Sequence, residues 1–239
     1  MQLARIRPPY LPHPVYAPIE EAVQSSVVGG MRTQRGWEPD ETRAWQRIVA
    51  ALGAGTFLDG GAYIGHYAFV LASLGCEVVA VEPILETFLA LRTTAERYQP
   101  KVKAVNAALW FEDGETIVNQ RVWQAAQSSC FNDGYLSLPK RVRAVTIDSL
   151  AEQLGVTFDY VKLDVEGAER YALRGAKRTL EMVKVLMLEF NPEYHVGELD
   201  WRGELSGFSV FNARLNRVDE INADKPTNFF LSRYDLSAL

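Results

Sequence analysis

Thr56-Phe57-Leu58-Asp59-Gly60-Gly61-Ala62-Tyr63-Ile64-Gly65 runs from a short apolar segment into an acid, through closely spaced glycines, and on into a helical stretch at 65–74 with Phe69, Val70 and Leu74 turned inward. A brief unbroken apolar run followed by a glycine turn and a helix reads as a buried strand feeding a βα unit. The same pattern repeats outward. Residues 77–81 are predicted as a second strand, 85–98 as a second helix and 102–109 as a third strand. Beyond them come a fourth strand at 160–165, a helical region at 168–182 broken near Gly175, and a fifth strand at 183–190. Strand–helix alternation at this spacing implies right-handed crossovers and a doubly wound, mostly parallel α/β sheet.

The flanks depart from that rhythm. Prolines at 8, 9, 12, 14 and 18 make the first 18 residues extended, and helices are expected at 19–28 and 39–52, the second with Pro39 in its first turn. Trp45, Ile48, Val49 and Leu52 fall on one face of that second helix. Between 112 and 145 the alternation lapses into a β insertion, with strands at 116–123 and 142–146 around a polar loop holding Ser128, Ser129, Asn132, Asp133 and Gly134. Ile147-Asp148-Ser149-Leu150 opens a short helix with Asp148 or Ser149 as its cap. The tail offers two more strands, at 208–212 and 228–232. The expected organisation is one globular unit: a Pro-rich arm and helical cap at 1–55, and the main α/β domain at 56–239.

Composition narrows the function classes. A chain of 239 residues suffices for one such domain, and its 48% hydrophobic and 23% charged fractions are those of ordinary globular proteins. No run approaches a bilayer span and the N-terminus lacks a signal's apolar region, so no membrane association and a cytoplasmic location are expected. A net charge of −5 argues against a nucleic-acid partner. Lys140-Arg141-Val142-Arg143 reads as a solvated strand edge. Cys76 and Cys130 are too few for a disulfide framework or a zinc site, and Cys76, after Gly75, reads as a small buried filler. Oligomeric state is not legible.

In an open parallel sheet, ligands bind at the carboxyl ends of the strands where strand order reverses. The glycines at 60, 61 and 65 do not have the G-x-G-x-x-G spacing that places a pyrophosphate on a helix N-terminus. Asp59 precedes them instead. An anion there repels a pyrophosphate and suits a cationic ligand, which favours S-adenosylmethionine, with its ammonium and sulfonium, over NAD. Gly61, Tyr63 and Gly65 are then expected to shape the cofactor turn. Val78-Val79-Ala80-Val81-Glu82-Pro83 is a β-branched strand ending in an acid, and Glu82, beside Pro83, is placed to accept both ribose hydroxyls. Asn106-Ala107-Ala108-Leu109 would flank the adenine, with Asn106 and Ala107 nearest.

Asp159-Tyr160-Val161-Lys162-Leu163-Asp164-Val165-Glu166-Gly167-Ala168-Glu169 is the densest segment. Lys162 and Asp164 project from one face of a buried strand, so each must be paired or functional. Two readings stand: a structural ion pair at Lys162, and a substrate-facing role for Asp164. Glu166 and Glu169 sit where a helix dipole favours anions. The fifth strand ends in Glu189, and His195, just beyond, is the histidine best placed to reach the cleft as a base.

Together these segments resemble the FkbM family of methyltransferases. The resemblance rests on residues 57–65, Val79-Ala80-Val81-Glu82-Pro83, Val145-Thr146-Ile147-Asp148-Ser149-Leu150, the 159–169 run, Leu173-Arg174-Gly175-Ala176 and Leu188-Glu189-Phe190, and covers roughly 56–190. It implies a seven-stranded class I (Rossmann-like) methyltransferase sheet, S-adenosyl-L-methionine as donor, and an oxygen acceptor, a hydroxyl on a small molecule, sugar or other natural product. The family usually carries asparagine where this chain has Tyr63, and often a small or hydroxyl residue at Ala68. A ring stacked near the sulfonium and a changed cofactor pocket are both open readings of Tyr63.

An aliphatic hydroxyl needs a base or a metal ion to become a nucleophile. The expected catalytic residues are Asp164, orienting or deprotonating the acceptor, with Glu166, Glu189 or His195 assisting. No separate metal-ligand set is assigned. In a variant of the same scheme Asp164 and a neighbouring carboxylate hold Mg²⁺. The alternatives are an NAD-dependent Rossmann oxidoreductase and a non-catalytic S-adenosylmethionine-binding module.

Overall fold

The computed structural model describes residues 2–121, 128, 129, 136–192, 204–219, 221 and 223–239. Its first elements are a hairpin of β1 (Leu3–Ile6) and β2 (Val15–Pro18), then α1 (Ile19–Gln24), α2 (Ser26–Met31) and α3 (Pro39–Leu52). The main unit follows with β3 (Thr56–Gly60), α4 (His66–Ser73), β4 (Glu77–Val81), α5 (Leu85–Tyr98) and β5 (Val102–Val105). The insertion contributes β6 (Ala108–Leu109), β7 (Gly114–Arg121) and β8 (Ser137–Val145). The second half is α6 (Ile147–Leu154), β9 (Tyr160–Leu163), α7 (Glu169–Arg174), α8 (Lys177–Met182), β10 (Val185–Phe190), β11 (Ser209–Phe211), β12 (Arg217–Val218) and β13 (Thr227–Ser232).

The central sheet runs β12-β11-β13-β10-β9-β3-β4-β5. β5, β4, β3, β9 and β10 are parallel, and β13 is antiparallel to both β10 and β11. This is the doubly wound, mostly parallel sheet of seven strands that was expected, extended by the two-residue edge strand β12. Strand order reverses at β3, whose neighbours are β4 and β9.

Alternate strand residues face opposite sides of the sheet, and helices cover both sides, so the inner strands are largely apolar. Phe57, Val78, Tyr160, Met187 and Phe230 point into one core layer with α3, α4 and α5. Leu58, Val79, Val161, Leu188 and Phe229 point into the other, with α6, α7 and α8. Trp45 of α3 seats edge-on against Phe57, Tyr160 and Phe230, with centroids 5.1, 5.9 and 5.3 Å away. The N-terminal helices therefore share the core of the sheet. Cys76 is a buried free thiol, as its position suggested.

Three expectations need correction. The 102–109 run is two strands: the Asn106 amide donates to the backbone oxygens of Glu82 and Pro83, each at 2.9 Å, and carries the chain over the tip of β4. β6 then pairs with β8 in the three-stranded sheet β6-β8-β7. The 19–28 helix is interrupted at Ser25, whose hydroxyl caps α2. Asp148 does not cap its own helix. Thr146 does, accepting from Ser149 N, while Asp148 accepts from the N–H groups of Arg178 and Thr179 at the start of α8. Lys140–Arg143 pair on one side with β7, and β6 reaches only Ala144 and Val145 on the other. No helix among the described residues is long and apolar enough to cross a membrane.

Candidate active site

A cavity of about 290 Å³ opens at the carboxyl ends of β3, β4, β9 and β10. Its floor is the turn between β3 and α4. Gly61 N and Ala62 N both donate to the Val81 carbonyl, at 3.1 and 2.9 Å, locking the turn to the end of β4. Gly61 has φ +72°, and a Cβ there would lie 1.8 Å from the Asp164 carbonyl oxygen. Only glycine lets the tips of β3 and β9 approach this closely. Tyr63 adopts φ +51° without being glycine. Backbone of that kind persists where the surroundings over-determine it, and it clusters at functional sites.

Glu82, at the end of β4, is buried and well supplied with donors. One oxygen accepts from Ile84 N and the Thr87 hydroxyl, both at 2.9 Å, and Oε2 accepts from Tyr63 N at 2.9 Å. Burial pushes its pKa up to about 7 against the pull of those hydrogen bonds. A carboxylate has about four acceptor positions, so Oε2 keeps room for a ligand hydroxyl.

Lys162 is the hub of the opposite wall. Its ammonium contacts Asp164 Oδ2 at 3.2 Å and Asp59 Oδ1 at 3.5 Å, and donates to the carbonyls of Gly60 and Gly61 at 3.3 and 2.9 Å. Burial alone pulls the Lys162 pKa down, but Asp164, Asp59 and Glu38 outweigh it and hold the ammonium charged. Beside it, ligand-capable oxygens of Asp164, Glu166 and Glu189 all lie within 4.8 Å of one another. Burial first, and then the charge of Asp164, raises Glu166 and Glu189 well above the ordinary carboxyl range. Glu166 is also left-handed, at φ +53°, and its carbonyl accepts from the Ser129 hydroxyl of the insertion at 2.7 Å.

Residues 59–208, more than half of the chain, match the methyltransferase FkbM domain. The chain belongs to the FkbM methyltransferase family. Among solved structures it is similar to the T. thermophilus 16S rRNA N2 G1207 methyltransferase RsmC, in complex with AdoMet and guanosine, at 17% identity and TM-score 0.50, covering 98% of this chain and 50% of that one. It is also similar to the bifunctional kinase-methyltransferase WbdD, at 14% identity and TM-score 0.44, covering 81% and 38% respectively. A TehB-like SAM-dependent methyltransferase from Corynebacterium glutamicum matches at 14% identity and TM-score 0.47, covering 82% and 88%. The chain thus spans half or less of RsmC and WbdD, and the RsmC likeness is one of fold. No curated protein sequence matches it. Membership in a methyltransferase family displaces the oxidoreductase alternative.

In this FkbM methyltransferase, Gly61, Tyr63, Glu82, Pro83 and Ala107 line the cavity together, as do Asp164, Glu166 and Glu189. Asp59, Gly65 and Asn106, also expected at the cofactor, are not among the residues lining it. The Asp59 carboxylate is 1% exposed; it accepts from Ala68 N in the first turn of α4 at 2.9 Å and faces Lys162. Gly65 is a packing glycine at φ +95°, where a Cβ would meet Phe69 at 2.5 Å and Leu91 at 2.6 Å. Asn106 spends its amide on the backbone after β4. His195, with Cys130 and the loop residues Asn132, Asp133 and Gly134, lies outside the described residues.

Sequence reasoning expected a helical cap at 1–55 but named none of its residues as part of the site. Ser26, Val27 and Trp37 line the cavity. Glu38 precedes α3 at φ +43° without capping it; it accepts instead from Tyr67 Oη at 2.5 Å and Asn228 Nδ2 at 3.0 Å. Burial, then Asp164, raises its pKa to about 7. His66 also lines the cavity, but burial and then Lys162 push it down to about 3, which leaves the imidazole neutral. The unusual left-handed Glu-Pro junction at Glu38 has no signature in the sequence.

Proposed function

We propose that this methyltransferase uses S-adenosyl-L-methionine to methylate a hydroxyl on a small molecule or saccharide. The observation that carries the reading is one cavity with Glu82 at one end and the Asp164–Glu166–Glu189 cluster at the other. The residues fit a cationic nucleoside ligand: an acid with spare acceptor capacity for ribose, small apolar groups at Ala107 and Ala108 for a flat base, and carboxylates around a positive centre. When bound, the cofactor supplies a methyl group already activated by its sulfonium.

The protein's own share is positioning, proton handling and exclusion of water. Asp164, anchored by Lys162, accepts the hydroxyl proton or orients the hydroxyl. Burial and the charge of Asp164 raise the proton affinities of Glu166 and Glu189, so the cluster holds protons more readily than exposed carboxylates do. Trp37, Tyr67 and Pro226 line the same cavity and supply apolar surface for an acceptor. Residues 1–55, in this reading, act as a cap on the methyltransferase domain at 56–239. The mutual approach of the three carboxylates also supports the Mg²⁺ variant, since hard oxygen donors suit that ion.

Two outcomes follow. Asp164→Asn is expected to bind S-adenosylhomocysteine within about threefold of wild type, yet to lose about 10²–10⁴-fold in labelled methyl transfer to a panel of saccharides and polyols. Unchanged transfer rules out both the base and the metal form, and a chelator arm in the same assay separates the two. The second concerns pH. Ribose hydroxyls donate best to an ionised Glu82, whose pKa in the free protein is about 7. Binding below that pH must expel a proton, so affinity for S-adenosylhomocysteine should fall by up to about tenfold per unit as pH drops from 7 toward 5, and level off above 8. Calorimetry in buffers of different ionisation heats reads the released proton directly. A flat profile, or the same profile in Glu82→Gln, contradicts the ribose role.

A further inference from the structure

Glu21 lies on the six-residue helix α1 and is 5% exposed. A buried carboxylate needs a compensating partner. Among its partners is the Tyr63 hydroxyl, which donates to Glu21 Oε2. Burial, then the charge of Glu21, pushes the Tyr63 phenol well up, so it keeps the proton it donates. The backbone N–H of the same residue donates to Glu82 Oε2. One left-handed residue thus joins a helix of the N-terminal segment to the acid at the tip of β4. Immediately beyond α1, Ser25 caps α2, and Ser26 and Val27 face the cavity. All of these N-terminal residues precede the 59–208 span matched by the family domain.

We infer that Glu21 is a positioning residue of the cofactor site, acting through Tyr63 on the β3–α4 turn and Glu82, so that a bound cofactor further stabilises residues 19–31. The contact needs a side chain long enough to reach from the turn to α1 and ending in a donor, and Tyr63 supplies both. The inference rests on the S-adenosylmethionine reading above. The competing account is a buried polar pair that merely pins the arm to the body.

Calorimetric titration with S-adenosylhomocysteine at pH 8, with hydrogen exchange in its presence and absence, separates the two accounts. Tyr63→Phe keeps the ring and removes the donor, Glu21→Leu removes the acceptor, and Glu21→Gln retains one. The first two are expected to weaken binding about tenfold each and about tenfold together, because both delete one bond, while Glu21→Gln recovers most of the affinity. In wild type the ligand should slow exchange across residues 19–31 as well as the β3–α4 turn; in Tyr63→Phe the slowing should be confined to the turn. Variants that melt earlier but bind within twofold of wild type, with the same protection at 19–31, overturn the inference and leave the cofactor reading intact. A wild-type protein that does not bind the ligand overturns both.

Discussion

Lys162→Met is expected to destabilise the protein by about 3–5 kcal/mol, and to abolish binding of S-adenosylhomocysteine. Lys162 is 3% exposed and sits between Asp59, itself 1% exposed, and Asp164. Removing one partner of a buried ion pair leaves an uncompensated buried charge, and that, more than the lost attraction, sets the cost. The carbonyls of Gly60 and Gly61 lose their side-chain donor in the same step, at the floor of the cavity. In a domain of this size the loss corresponds to a drop of roughly 10 °C in melting temperature. Asp59→Asn in the Lys162→Met background should restore part of it, since the buried anion disappears with the cation. A single variant that melts within about 2 °C of wild type and binds normally would mean that the ion pair holds neither fold nor site.

The second large effect is at Gly61. Alanine there must adopt φ +72° and place its Cβ 1.8 Å from the Asp164 carbonyl oxygen. The left-handed backbone alone costs roughly 1–2 kcal/mol. The clash, which involves backbone rather than a flexible side chain, adds about 1–3 kcal/mol more by prising β3 from β9. Gly155, which ends α6 at φ +65°, is the natural control: a Cβ there meets nothing within 4 Å. Gly155→Ala should therefore lose only the backbone part, about 1–2 kcal/mol, with ligand affinity unchanged. Chemical denaturation and calorimetry on both variants check the contrast. Equal losses in the two, with binding intact in both, would show that the close approach at Gly61 is not needed.

The inner parallel strands β3, β4, β9 and β10 were legible because each is largely buried and reads as a short apolar run between turn signals, whereas the edge strand β5 carries the exposed Lys103 and its run was read too long. Turn chemistry marked the Gly61 floor and the acid at Glu82 for the same local reason. What the local pattern does not show is which way a side chain turns. Asp59 and Asp164 occupy equivalent-looking strand-tip positions, yet one is absorbed by Ala68 N and Lys162 while the other faces the cavity. Asp148 has the sequence position of a cap but serves the neighbouring helix. Asn106 reads as part of a strand until the Glu82 and Pro83 carbonyls are within reach of its amide. Glu21, Trp37 and Glu38 were invisible as site residues because tertiary packing brings their segment to the strand tips: α3 docks through Trp45 on Phe57, and β2 ties to α5 through Tyr16 N and the Thr94 hydroxyl.

The cavity between Glu82 and the Asp164 cluster is proposed to hold a positively charged adenosyl ligand. Wild-type protein titrated at pH 8 with S-adenosylmethionine, S-adenosylhomocysteine and NADH in parallel decides whether it does. Saturable one-to-one binding of the first two, lost in Glu82→Ala, with no heat from NADH, is the predicted result. Binding of NADH, or of none of the three, would contradict the account.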